Sequence, residues 1–322
     1  MHKRKALITG ITGQDGYYLS KLLLEKDYDV YGLVRRHNRV EHELGTVQSL
    51  ASDLKFEYGD VTDASSIESV IHRIQPHEVY NLAAQSHVKV SFDTPVYTSQ
   101  VNALGPVYVM EAMRKITPYS RFYQASTSEM FGNSVDVDGF QRETTPMRPV
   151  SPYGVAKLYA HQMVNVYRVQ YGLFACAGIL FNHESSKRGD LFVTKKITNF
   201  VKKMKQENWN PEFKKTLTLG NLDARRDWGH AEDYVKGMWM MLQHHTPDDY
   251  VLATGKTYSI KQFLSAAFDE RDWKEWVTTD EKFMRPEDVH HLMGDALKAH
   301  TTLGWRKTYD IYSLVNSMIT EE

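Results

Sequence analysis

The glycine-rich segment GITGQDG constrains the fold of this chain more than any other feature of the sequence. It follows the apolar run KALIT directly and leads into QDGYYLSKLLLEK, whose apolar residues recur at helical spacing. Glycines between a strand and a helix let the backbone turn tightly and approach the pyrophosphate of a dinucleotide. The segment therefore predicts a dinucleotide site. The residues expected to contact the cofactor here are Gly10, Thr12, Gly13, Gln14, Asp15 and Gly16.

Short apolar runs alternate with longer amphipathic stretches along the rest of the first half of the chain. The runs DVYGLV, LKFEYG, EVYNLAA, RFYQAS and FACAGILF read as buried strands, and the stretches between them as helices. Repeated strand–helix–strand units form a parallel sheet with helices on both faces. We therefore predict an α/β fold: a Rossmann-type doubly wound parallel sheet over residues 1–180 and a smaller C-terminal substrate-binding domain mainly over 181–322. We expect residues 220–255 to fold back onto the first domain.

Composition excludes several classes of protein. A net charge of -1 over 322 residues gives no reason to expect a nucleic-acid or anionic-membrane partner. The single cysteine, Cys176, lies in an apolar run and is expected to be a buried thiol. No apolar run approaches the roughly 20 residues of a membrane span, and the basic start MHKRK leads into a segment broken by glycines. We therefore expect a cytoplasmic protein.

The ends of the next three strands supply further candidate cofactor contacts. The second strand ends in VRRHN, which places Arg35 and Arg36 where an acidic residue would hold the ribose of NAD. Arginines there favour the 2′-phosphate of NADP, although two surface arginines remain the alternative. Asp60 and Val61 follow the third strand and could contact the adenine. The segment after the fourth strand is expected to pass beneath the cofactor with Leu82, Ala83, Ala84, Gln85 and Ser86.

The segment SPYGVAK predicts the chemistry. Its spacing of four puts Tyr153 and Lys157 on one face of a helix. A nearby ammonium lowers the pKa of a tyrosine from about 10, so Tyr153 could take a proton from a substrate hydroxyl. Lys157 would also bond the nicotinamide ribose. Upstream, QASTSEMFG places a hydroxyl cluster and one carboxylate, Glu129, at the end of a strand.

Together these segments resemble the short-chain dehydrogenase/reductase superfamily, in its extended, nucleotide-sugar-modifying branch. More specifically, the chain resembles the GDP-mannose 4,6-dehydratase family in NLAAQSHVKVSF, QASTSEMFG, SPYGVAKLYA, ILFNHES, RGDLFVTKKIT and LGNLDARRDWGHAEDYV. The resemblance implies that Thr127 binds the hydroxyl being oxidised at C4 of GDP-mannose. It implies that Glu129 removes the C5 proton and protonates the C6 hydroxyl, which leaves as water. The same NADP then returns its hydride to C6, giving GDP-4-dehydro-6-deoxy-mannose.

The resemblance also implies roles for residues outside this catalytic set. Tyr97, His183 and Arg188 match cofactor-side positions. Arg225 is the expected diphosphate partner, since a guanidinium suits phosphate oxygens, and Arg285 a second one. The full set expected to contact the substrate is Ser86, Asn182, Lys196, Arg225 and Arg285. Surface charge remains the alternative for the arginines, and His87 and His230 are predicted to be structural polar groups.

Two departures from the family pattern affect assembly. Ser186 and Lys187 stand where the family has proline and arginine, and the stretch after Arg36 is short. In relatives that loop reaches a neighbouring subunit and its cofactor. The resemblance implies a homo-oligomer, a dimer or a tetramer.

Three other functions fit parts of the pattern. A nucleotide-sugar 4-epimerase or 4-reductase would need Thr127, Tyr153 and Lys157 but no base at C5, so Glu129 argues against it. A non-catalytic NADP-binding protein would have no reason to keep these four residues together. A metal-dependent dehydratase is disfavoured because the histidines in HQMVNVY and QHHTPDD lack opposing ligands. We predict no metal site.

Overall fold

A computed structural model describes residues 3–35, 44–210, 216–269, 271–283 and 289–321. The predicted ligand contacts Arg36 and Arg285 lie outside the described residues. The strands are β1 Lys5–Thr9, β2 Asp29–Val34, β3 Lys55–Tyr58, β4 Glu78–Asn81, β5 Arg121–Thr127, β6 Phe174–Leu180, β7 Asn182–Glu184, β8 Leu217–Leu219, β9 Arg225–Arg226, β10 Trp228–His230, β11 Asp249–Leu252, β12 Tyr258–Ser259 and β13 Val277–Thr279. The α-helices are α1 Gln14–Glu25, α2 Ala64–Ile74, α3 Val88–Asp93, α4 Pro95–Ser99, α5 Gly105–Ile116, α6 Pro152–Tyr171, α7 Val193–Gln206, α8 Ala231–Gln243, α9 Ile260–Phe268 and α10 Ile311–Thr320.

A seven-stranded sheet organises the fold. Its strand order is β11-β6-β5-β4-β1-β2-β3, and every neighbouring pair is parallel. The order reverses direction between β1 and β4, which leaves a crevice at the carboxyl ends of these strands where α/β proteins bind ligands. The predicted doubly wound parallel sheet is confirmed.

Helices cover both faces of this sheet, and the central strands are buried along most of their length. On one face, Leu19 and Leu23 of α1 and Met238 of α8 are buried in one apolar cluster. On the other face, α2, α5 and α6 bury a second cluster that includes Ile71 and Met113.

A third apolar cluster lies in the C-terminal part of the chain. Helices α7, α9 and α10 pack around Val201, Phe263 and Leu314. By contrast, β11 extends the large sheet beside β6, and α8 packs against α1. Both of these elements fall within residues 220–255.

Several isolated residues have structural roles. The thiol of Cys176 is fully buried, and burial raises its pKa to about 12. His87 and His230 each cap a helix, because their Nδ1 atoms accept the backbone N–H of Val90 and Glu232. Within the described part of the chain, no helix combines the length and apolarity needed to cross a membrane.

Candidate active site

Two adjoining cavities lie at the carboxyl ends of the sheet strands. One, of about 310 Å³, is lined by the glycine-rich loop and the ends of β2, β3 and β4. The other, of about 350 Å³, is lined by the ends of β5 and β6 and by segments of the C-terminal part. The residues that line both cavities are Asp15, Leu82, Ala84, Ser86 and Arg188. A ligand that extends from one cavity into the other would pass these five residues.

Glycine is needed at the three loop positions for different physical reasons. Gly10 has φ +70°, and a Cβ there would lie 2.7 Å from the backbone nitrogen of Ala83. A Cβ on Gly16 would lie 2.1 Å from the carbonyl oxygen of Ile11, so this glycine lets α1 pack closely on the loop. Gly13 lines the first cavity, and a Cβ there would meet nothing closer than 3.4 Å.

Gly13 is also the N-cap of α1 and, as a glycine, offers no side chain to the first-turn N–H groups. The first-turn N–H groups and the helix dipole therefore face the cavity as an anion site. The loop fits the pyrophosphate of a dinucleotide.

Most predicted cofactor residues line the first cavity. They are Gly10, Thr12, Gly13, Gln14, Asp15, Gly16, Arg35, Asp60, Val61, Leu82, Ala83, Ala84, Ser86, Tyr97 and Arg188. The Arg35 guanidinium donates to the Tyr97 hydroxyl over 2.8 Å at the end of β2. Gln85 lines neither cavity, since its backbone N–H donates to Asn102 and its side chain to the carbonyl oxygen of His87. The predicted contact of Gln85 with the cofactor stays a prediction that the cavity lining does not support.

The four predicted catalytic residues converge on the second cavity. Thr127 ends β5, and Glu129 lies in the short 3₁₀ turn Ser128–Met130 that follows. Tyr153 and Lys157 face the same cavity from α6. Thr127, Glu129 and Tyr153 are each 9% exposed, which leaves a narrow opening toward the ligand space.

Local hydrogen bonds fix these side chains. The Thr127 hydroxyl accepts the backbone N–H of Glu129 at 3.3 Å. Ser151 caps α6 by accepting the N–H of Gly154 at 3.1 Å, which sets the start of the helix just before Tyr153. The Lys157 ammonium donates to the carbonyl oxygen of Ala125 over 2.8 Å.

The electrostatics of Tyr153 differ from the expectation. Burial raises the pKa of Tyr153 to about 12. The Glu129 carboxylate acts in the same direction, and a hydrogen bond with Thr127 acts against both. Burial also lowers the pKa of Lys157 to about 8. The Lys157 ammonium lies 5.9 Å from the centroid of the Tyr153 ring and bonds a backbone carbonyl. In the protein alone, burial therefore raises the pKa of Tyr153, and the predicted lowering by Lys157 is not seen.

The predicted substrate residues are only partly brought together. Ser86, Asn182 and Lys196 line the second cavity. Arg225 does not, because its guanidinium donates to the carbonyl oxygen of Thr257 over 3.0 Å. Its neighbour Arg226 lines the cavity instead.

The alternation of side chains along a strand explains why Arg226, and not Arg225, lines the cavity. Consecutive side chains of an extended segment point to opposite sides, so Arg226 shares a side with Trp228, which also lines the cavity. The sequence DARRDWGH indicated this orientation, because Trp228, two residues after Arg226, is the side chain expected to face the interior. The sequence analysis did not single out Arg226, which lines the cavity while its guanidinium donates to the carbonyl oxygens of Arg225 and Val289.

A group of alternating charges separates the two cavities. His183 lies beside Asp15, and the Arg188 guanidinium lies 3.0 Å from the carboxylate of Glu184 and 3.6 Å from the Phe192 ring centroid. Glu184 is buried and lines the second cavity, and the Thr194 hydroxyl donates to it over 2.7 Å. The described residues contain no cluster of three His, Cys, Asp or Glu side chains that could hold a metal ion.

Comparisons with known proteins agree with this geometry. The family model of GDP-mannose 4,6 dehydratase matches residues 7–318. A GDP-mannose 4,6 dehydratase of Drosophila melanogaster is 46% identical over 341 residues, covering 98% of this chain and 85% of the relative. GDP-mannose 4,6 dehydratase 2 of Arabidopsis thaliana is 47% identical over 332 residues, covering 99% and 87%.

Solved structures resemble the chain in fold. A UDP-glucose 4-epimerase of Thermotoga maritima superposes with a TM-score of 0.83 at 21% identity, covering 98% of this chain and 97% of that one. RMD of Pseudomonas aeruginosa, complexed with NADPH, superposes with a TM-score of 0.79 at 20% identity, covering 99% and 97%. At these identities the likeness concerns the fold alone.

Proposed function

The chain belongs to the GDP-mannose 4,6-dehydratase family, and from this premise we propose that it converts GDP-mannose to GDP-4-dehydro-6-deoxy-mannose and water. The observation that carries the proposal is the convergence of Glu129 with Thr127, Tyr153 and Lys157 on one cavity. A 4-epimerase or 4-reductase would use the last three residues and leave Glu129 without a role.

We propose NADP as the cofactor. Arg35 lines the dinucleotide cavity at the end of β2, where a guanidinium suits a 2′-phosphate. When bound, the nicotinamide would accept the hydride of C4 in its oxidised form and return it to C6 in its reduced form. The N-terminus of α1, with Gly13 at its cap, would hold the pyrophosphate of the cofactor.

Tyr153 and Thr127 would bind the C4 oxygen between their hydroxyls. Tyr153 would take the C4 hydroxyl proton as the ketone forms, and Lys157 would stabilise the phenolate from its fixed position on the Ala125 carbonyl oxygen. Tyr153 would return this proton to C5 at the end of the cycle, which regenerates the phenolate for the next turnover.

Glu129 would act on the carbon next to C4. The ketone at C4 makes the C5 hydrogen acidic, and the Glu129 carboxylate would remove this proton and deliver one to the departing C6 oxygen. Because Glu129 follows Thr127 by two residues within one 3₁₀ turn, the two side chains can serve neighbouring carbons of one sugar ring. General acid–base catalysis by one carboxylate contributes about 10²- to 10⁴-fold.

We further propose how the remaining parts of the chain serve this reaction. Residues 1–180 with 220–255 would bind the dinucleotide, and the rest of 181–322 would bind the sugar nucleotide. Ser86, Asn182 and Lys196 would contact GDP-mannose, with Arg226 as the candidate for the diphosphate. A cytoplasmic location stays a prediction.

We also propose that the protein is a homo-oligomer. Val155, Tyr159, Gln162, Val166 and Val169 follow each other on α6 at spacings of four and three residues, and all are exposed. Such spacing forms the seam by which two helices pair. The predicted dimer or tetramer would use this stripe.

The reaction product tests the proposed function. With GDP-mannose and substoichiometric NADP⁺, the purified protein should accumulate a product that lacks one water, carries a 4-keto group and forms without net NADPH. In heavy water the product of the native protein should carry deuterium at C5. Glu129→Gln should bind GDP-mannose but lose turnover by about 10²- to 10⁴-fold and lose C5 deuteration.

The surface variant Glu25→Gln is the matched control and should behave as the native protein does. A product that retains its C6 hydroxyl would contradict the dehydratase assignment. Undiminished exchange at C5 in Glu129→Gln would mean that another group is the base.

A further inference from the structure

Gln14 and Asp15 of the glycine-rich loop make their long-range side-chain contacts with β7 and the residue after it. The Gln14 side-chain amide donates to the carbonyl oxygen of His183 over 3.0 Å and accepts from the Ser185 hydroxyl at 2.8 Å. The Asp15 carboxylate lies 2.7 Å from Nε2 of His183. These three bonds join segments about 170 residues apart, at the boundary between the two cavities.

The hydrogen bonds of His183 determine its protonation. Its Nδ1 lies 2.8 Å from the carbonyl oxygen of Phe181, and its Nε2 faces Asp15. Both partners are acceptors, whereas a neutral imidazole has one N–H. Only the imidazolium satisfies both contacts, and this cation then forms an ion pair with Asp15.

Some neighbours of His183 stabilise the imidazolium charge and others destabilise it. Burial disfavours the imidazolium, but the Asp15 carboxylate and the two hydrogen bonds outweigh it and raise the pKa of His183. The positive charge of Arg188 acts in the other direction. From α8, the ring of Tyr234 stacks on the imidazole at 4.6 Å, and His230 is the further titratable neighbour.

We propose that Gln14, Asp15 and His183 form a clamp of positioning residues that fixes β7 against the dinucleotide loop. The clamp sets Asn182 and Glu184, the neighbours of His183 on β7, at the wall of the substrate cavity. Both N–H groups of His183 are used inside the protein, so this histidine acts through its charge and position. Under this proposal His183 positions β7, and its predicted contact with the cofactor stays untested.

The kinetic part of the clamp inference rests on the proposed function, and its spectroscopic part does not. NMR of the native protein with ¹³C-labelled histidine should show His183, assigned by its loss in His183→Gln, titrating above the ordinary imidazole value of about 6.5. Asp15→Asn keeps the side-chain shape and removes the charge. In that variant the pKa of His183 should fall by at least one unit, about tenfold in proton affinity.

Kinetics should show the same dependence. In the native protein the KM for GDP-mannose should rise several-fold as the pH rises through the His183 titration, while kcat changes less. Asp15→Asn should have the raised KM throughout that range. Asp27→Asn, which breaks an exposed surface ion pair with Lys3, is the matched control and should keep the native pH profile.

Distinct results separate the two proposals. A His183 that titrates at or below 6.5 in the native protein would overturn the clamp even if Asp15→Asn fails to fold. A native KM that is independent of pH across the titration would also overturn it. Absence of any turnover of GDP-mannose would instead contradict the proposed function and leave the titration result intact.

Discussion

Single glycines at the dinucleotide cavity serve two different needs, helix packing and ligand binding. Gly16 allows α1 to approach the Ile11 carbonyl, whereas Gly13 leaves room on the cavity side of the loop. The same residue type therefore meets two requirements in this motif, close packing at Gly16 and space for a ligand at Gly13. Substitution can separate them.

Gly13→Ala and Gly16→Ala should fail in different ways. The methyl group of Gly16→Ala would overlap backbone, which costs about 1–3 kcal/mol or more through overpacking. The backbone at Gly13 has φ -87° and a Cβ there meets no close contact, so Gly13→Ala should lower the unfolding temperature much less than Gly16→Ala does, losing only part of the helix cap. Its dinucleotide affinity, measured by calorimetry, should fall at least tenfold because the methyl group occupies the pyrophosphate approach.

Native-like dinucleotide affinity in a stable Gly13→Ala would contradict the proposed cofactor site. Gly16→Ala serves as the control for stability, because its loss of binding should accompany a lower unfolding temperature.

Residue-level sequence reasoning succeeded where spacing alone decides geometry. Tyr153 and Lys157 share a cavity because helical spacing places them on one face, and Thr127 and Glu129 join them because β5 ends there. Arg225 and Gln85 line neither cavity, because one residue of shift in an extended segment reverses the side that a side chain faces. The raised pKa of Tyr153 could not be predicted, since burial is a tertiary property.

At the scale of elements, the site depends on how closely α6 approaches the turn that carries Glu129. A Cβ on Gly154 would lie 2.9 Å from the carbonyl oxygen of Glu129 and 2.9 Å from Pro149. Gly154 therefore lets the first turn of α6 pack against the catalytic turn. This contact sets the separation between Tyr153 on the helix and Glu129 on the turn.

Gly154→Ala should displace the helix start from the turn and lower kcat by about 10- to 100-fold, because small displacements of catalytic groups have large kinetic effects. Dinucleotide binding should change little, since Gly154 lies outside the residues that line that cavity. Asn165→Ala, on the exposed side of the same helix, controls for helix propensity and should keep the native rate. A native kcat in Gly154→Ala would show that the close approach is not needed.

At the scale of the whole molecule, local periodicity predicted the sheet because each strand–helix unit carries its own pattern. The pairing of β11 with β6 joins residues about 70 apart in the sequence. No local pattern of residues predicts such a contact. The clamp between the dinucleotide loop and β7 spans a still longer separation and was not predicted. Side chains that link distant segments are visible only after the fold brings them together.

The apolar stripe on α6 predicts the size of the assembled protein. The subunit has a mass of 37.2 kDa, and light scattering should give a dimer or a tetramer. Replacing Val166 and Val169 with glutamate should produce monomers, because two charges would be buried in an apolar seam without partners.

Val137→Glu adds the same charge at an exposed position outside the stripe and should leave the native mass unchanged. Tyr153 and Lys157 lie on the buried side of the same helix, so a monomeric variant that still binds dinucleotide would separate assembly from folding. A native protein that scatters as a monomer at micromolar concentration would overturn the assignment. Unaltered oligomers in the double variant would move the interface to another surface.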